Sequence, residues 1–126
     1  MSIRKVVIPF TTNGSGAADT LSEVAAFGEV VAVNIDTGDA ASTADFTITA
    51  NETGVVVFNK TNIASDVQYP VRTPTYDTTG TAITGAYSAP VVAERLRLVV
   101  AQGGATKSGV VTVYVDGDLT PIGRGS

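Results

Sequence analysis

The chain has 126 residues, enough for one domain, and a net charge of −4 from eight Lys and Arg against twelve Asp and Glu. It contains neither Cys nor His. That removes disulfides, thiol chemistry and Cys-based zinc sites, together with the commonest general base and metal ligand, so neither a cofactor nor an enzyme is expected.

Residues 2–12, SIRKVVIPFTT, read as a first strand, with Pro9 marking an edge, a bulge or a strand switch because it has no N–H to donate. A turn at 13–16 leads into a short return strand at 18–24, and residues 25–28 form a corner. Residues 29–36, EVVAVNID, alternate with Val31, Val33 and Ile35 on one face. After a polar loop at 37–43, DFTITA at 45–50 points Phe46 and Ile48 inward and pairs through an Asn51-Glu52-Thr53-Gly54 turn with residues 55–59. Residues 60–67 carry Ile63 in a short bridge or helical turn, and 68–71 form another short strand.

Residues 72–93, RTPTYDTTGTAITGAYSAPVVA, are punctuated by Pro74, Gly80, Gly85 and Pro90. A loop of that length is uncommon in a compact domain, so a short strand near 81–84 or a contact role is expected. The strongest paired signal is residues 94–117, ERLRLVVAQGGATKSGVVTVYVDG. Two apolar, β-branched runs flank a Gly-rich connection, the pattern of a hairpin. Residues 118–126 read as a flexible C-terminal tail after a domain of 1–117.

Seven to nine strands with no amphipathic helical stretch predict an all-β, antiparallel β-sandwich of jelly-roll or Greek-key type in a single domain; a small barrel is the alternative. The expected core is Val31, Val33, Ile35, Phe46, Ile48, Leu96, Leu98, Val111, Val113 and Val115. Scattered cations argue against nucleic acid as a partner. No run nears the roughly 20 apolar residues of a membrane span, and no signal-like segment is evident, so the chain reads as soluble and made in the cytosol. Charged residues are 16% of the chain, below the roughly 25% of an ordinary domain. Thr-rich strands that suit a β-sandwich are one reading of this, and a surface partly covered by neighbours is the other.

Asp36-Thr37-Gly38 after an apolar strand resembles the catalytic loop of retroviral-type aspartic proteases, but no Gly-rich flap hairpin follows at a suitable spacing, and a strand ending in a turn gives the same triplet. Asp36, Asp39 and Asp45 could gather around a calcium ion, although their spacing is not that of an EF-hand and solvated turns use the same residues. Arg95 and Arg97 share a strand face, as an exposed stripe, a cross-strand pair or a contact.

SIRKVVIP at the start, DFTITANETG in the middle, Tyr69-Pro70, and RLRLVVAQGGATKSGVVTVYVDG together resemble small all-β proteins from the structural module of tailed bacteriophages. The resemblance spans the chain to about Gly117. It implies a virion structural protein, in particular a capsid decoration (cement) protein on the capsid surface, made in the host cytoplasm. Its partners would be the major capsid protein and copies of itself, as a trimer. Arg72, Tyr76, Ile83 and Tyr87 in the long loop are the candidate contact residues. A head–tail joining or tail protein, or a carbohydrate-binding sandwich using Tyr76 and Tyr87, are the alternatives.

Overall fold

The computed structural model describes residues 3–121, which form nine strands and no helix. These are β1 (Ile3–Thr11), β2 (Ala18–Asp36), β3 (Asp45–Ala50), β4 (Val56–Lys60), β5 (Val67–Pro70), β6 (Thr73–Tyr76), β7 (Ala82–Ser88), β8 (Val91–Ala101) and β9 (Ser108–Pro121). Seven of them make one antiparallel sheet in the order β1-β9-β2-β8-β3-β4, with β5 also on β2; β6 and β7 pair only with each other. The all-β, antiparallel expectation holds.

The long strand β2 organises this sheet. Its first half pairs with β8, from Ala18 opposite Val100 to Glu29 opposite Val91. Its second half pairs with β9, ending with Asp36 opposite Val110, and with β5 along the other edge. Nineteen extended residues would span roughly 60 Å, whereas the ten-residue step from Val100 to Val110 reaches at most about 35 Å. Both ends of β2 therefore meet one connection, and the strand must fold over in between. We place the fold at Gly28, near the middle of β2, which faces Gly117 of β9; both have positive φ, 146° and 156°, a backbone that suits a sharp bend. The corner expected at 25–28 does not separate two strands, because Ala18–Asp36 form one continuous strand.

The predicted hairpin at 94–117 does not form. β2 lies between β8 and β9, and those two strands do not pair. Their connection crosses from one half of the folded sheet to the other and is held by neighbouring loops. Gly103 N–H donates to Gly16, Ala41 N–H donates to Gly103, and the buried Thr12 hydroxyl donates to the Gly104 carbonyl at 2.6 Å. A Gly-rich connection looks the same in sequence whether it closes a hairpin or an arch.

The folded sheet encloses one apolar cluster. Val6, Ile8 and Phe10 of β1 join Val30, Val33 and Ile35 of β2, Phe46 and Ile48 of β3, Leu96, Leu98 and Val100 of β8, and Val111, Val113 and Val115 of β9. Phe10 meets Phe46 edge-on, with ring centroids 5.5 Å apart, although β1 and β3 are far apart in strand order. Each fully buried Val or Ile contributes about 1.5–3 kcal/mol. Nine of the ten expected core positions are buried. Val31 is the exception, because a register shift between Val30 and Ala32 turns Val30 inward in its place.

Two further expectations need correction. The short strand expected near 81–84 is present as β7, but the rest of 72–93 is not a loop: β6 pairs with β7 in a two-stranded ribbon, and β8 already begins at Val91. The tail does not begin at 118, because β9 continues to Pro121, where it lies opposite Val24 on β2. The rest of the expected tail, 122–126, lies outside the described residues.

Candidate interaction site

The β6–β7 ribbon stands apart from the main sheet. Thr73 lies opposite Ser88, Pro74 opposite Tyr87 and Tyr76 opposite Ala82. Between these pairs β6 has only Thr75 while β7 has residues 83–86, so β7 bulges outward there, helped by Gly85 at φ 77°. The bulge leaves Ile83 46% and Tyr87 66% exposed. Thr75 and Thr73 hydroxyls tie the ribbon's foot to the Ser88 hydroxyl and carbonyl, at 3.0 and 3.3 Å.

The turn of the ribbon is built on Asp77. Its carboxylate accepts the Thr79 hydroxyl at 2.6 Å and the Thr79 and Thr81 amides at 2.9 and 3.0 Å. The Thr79 hydroxyl, followed by those amides, holds the Asp77 carboxyl below its ordinary range.

Of the four candidate contacts, Ile83 and Tyr87 share β7. Tyr76 belongs to β6, where only its backbone is described. Arg72 is exposed just before the ribbon, and its guanidinium folds back to donate to the Val71 carbonyl at 2.8 Å. Arg72 also lines a groove of about 310 Å³ between the outer edges of β4 and β5, beside Val56, Phe58 and Tyr69. Phe58 and Tyr69 pack ring to ring at 5.5 Å, and the Lys60 ammonium sits 5.9 Å from the Tyr69 ring centre. The sequence reading missed Phe58 and Lys60 as site residues. The only trace of the groove was an apolar run, residues 55–58, too hydrophobic for a strand at an open edge.

The acidic residues near the strand ends serve the backbone. Asp36 accepts Gly38 N–H, Asp39 accepts Ser108 N–H and Asp45 accepts Asn62 N–H, at 3.1, 2.7 and 3.0 Å. Asp66 takes both the amide and the hydroxyl of the buried Thr37, at 3.0 Å each. The Asp36-Thr37-Gly38 triplet is thus a turn with its side chains engaged locally. Among the described residues no group of three acidic side chains is arranged to hold a metal ion.

Arg97 and Asp19 form a two-pronged ion pair across β8 and β2, in which the Arg97 hydrogen bond lowers the Asp19 carboxyl's pKa. Arg95 instead donates to the Ser22 carbonyl at 2.8 Å. Both arginines are engaged within the fold. No helix among the described residues is long and apolar enough to cross a membrane.

Comparison with protein-family models, with curated proteins and with solved structures finds no match in any of the three.

Proposed function

We propose that this protein is a structural component of a tailed-bacteriophage virion, a decoration protein that docks on the outer shell and reinforces joints between major capsid proteins. The observation that carries this reading is the ribbon, which holds Ile83 and Tyr87 in solvent on a segment that contributes no strand to the main sheet. Tyr gives large contact area at low entropic cost, and a two-stranded ribbon is marginal in water by itself, so packing against a partner would steady it. A shell repeats its joints by symmetry, so many weak ribbon contacts add up through avidity. The sequence resemblance supplies the phage context, and the proposed state on the shell is a trimer.

The test replaces residues 75–86 by a Gly-Ser bridge and measures binding to purified capsids together with copy number by cryo-electron microscopy. Loss of binding by a folded variant supports the reading; unchanged affinity and copy number overturn it. Density confined to a portal vertex or tail would assign the protein to head–tail joining instead.

A further inference from the structure

Among the described residues, two of the exposed apolar regions carry opposite charge. The first is the β4–β5 groove, where Val56 is 51% exposed beside Phe58 and Tyr69. Arg72 lines it, Lys60 stands over Tyr69, and none of the lining residues is acidic. The second is the outer face of the corner, where Phe27 is 42% and Val91 71% exposed although Ala26 and Val30 beside them in β2 are fully buried. Phe27 lies opposite Asp118, and Glu29 opposite Val91. Arg4 approaches Asp118 at 3.9 Å, so the corner remains acidic in balance.

We propose that copies of this chain associate head to tail, the Lys60–Arg72 groove of one protomer receiving the Phe27–Val91 corner of the next. Charge decides the pairing. Groove against groove would juxtapose cations, and corner against corner would juxtapose carboxylates, each at a cost. Groove against corner joins opposite charges around an apolar centre, the usual anatomy of an interface. Such a contact uses two different surfaces, so it builds a closed ring rather than a two-fold dimer when the rotation allows. The inference deepens the oligomeric part of the reading above by naming its surfaces, and it leaves the ribbon available for the shell.

The test uses two full-length variants, Lys60→Glu with Arg72→Glu and Glu29→Lys with Asp118→Lys. All four positions are exposed, and unchanged urea midpoints confirm folding. Mass is read by light scattering and sedimentation up to millimolar protein. The wild type is expected to exceed monomer mass, and each variant alone to be monomeric. An equimolar mixture of the variants has contacts that pair a reversed groove with a reversed corner, which restores opposite charges, and contacts between an intact groove and an intact corner. A ring of three cannot alternate the two variants, so the mixture is expected to rise above monomer mass as pairs joined through these contacts, without regaining the wild-type mass. A monomeric wild type, a variant that keeps the wild-type mass, or a mixture that stays monomeric overturns the proposal. Capsid binding of the same proteins is scored separately, so a monomer that still coats capsids would sink this inference and leave the decoration reading standing.

Discussion

Gly28 and Gly117 face each other across β2 and β9 at the bend, and neither has room for a side chain. A methyl group on Gly28 would fall within 3.0 Å of the Asp116 carbonyl, and one on Gly117 within 3.0 Å of the Phe27 carbonyl. Both φ values also lie where only glycine is comfortable. The two long strands turn the corner together because both are bare at the same level. Gly28→Ala and Gly117→Ala are each expected to cost about 3 kcal/mol or more in urea unfolding, since strain and a backbone clash act together. The double variant should cost less than the sum, because either change alone already opens the corner.

A second break in β2 is stabilised by a side chain. The register shifts between Leu21 and Ala25, and there the buried Ser22 hydroxyl accepts the Leu96 N–H at 3.0 Å and donates to the Val24 carbonyl at 2.6 Å. Ser22 thus fills the place of a missing ladder bond. Ser22→Ala would leave the Leu96 amide buried without that acceptor, a loss of about 1–3 kcal/mol. Amide exchange checks the mechanism: the Leu96 proton should lose protection more than its neighbours in β8.

These two breaks show where sequence reading succeeded and where it stopped. Alternation located almost every strand, because burial on one face of a sheet imposes a period of two on residues such as Phe46 and Ile48. It also exposed Ile83 and Tyr87 as unusual, since they sit in a segment with no continuous inward face. It could not say which strands are neighbours. Leu98 and Val113 look like hairpin partners in sequence, yet β2 runs between their strands, and a pairing set by distant residues leaves no local mark. Bulges were equally silent, which is why Val31 was expected inside. The groove and the corner depend on those pairings, so Lys60 beside Tyr69 and Phe27 opposite Asp118 became visible only in the fold.

The bulge at Val31 can be tested directly. Val30 is fully buried and Val31 half-buried. Val30→Ala is expected to cost about 1.5–3 kcal/mol, and Val31→Ala less than half of that. Equal costs, or the reverse order, would mean that β2 keeps a regular alternation through this region. Leu98→Ala provides the scale for a fully buried position, at about 2–5 kcal/mol.

The ribbon turn should respond to acid through Asp77. Its carboxyl has a folded-state pKa below the ordinary 3.8, because the Thr79 hydroxyl and the Thr79 and Thr81 amides donate to the charged form. A depressed carboxyl pKa means that the turn's stabilisation is fully present above pH 3.8 and is lost as the pH falls below 3.8 through the lower folded value. The group is solvent-exposed, so the effect is local opening of the ribbon rather than global unfolding. Amide protons of Thr79 and Thr81, followed by NMR, are expected to shift and to exchange faster below that window, while those of β8 do not. Asp77→Asn keeps an oxygen acceptor but has no proton to gain, so it should hold the turn more weakly at neutral pH and abolish its acid transition. A transition of the same midpoint in Asp77→Asn would assign the acid response to another group. If the ribbon carries the shell contact, capsid binding by the wild type should weaken across the same pH window, measured on capsids that are themselves stable there, and binding by Asp77→Asn should stay level.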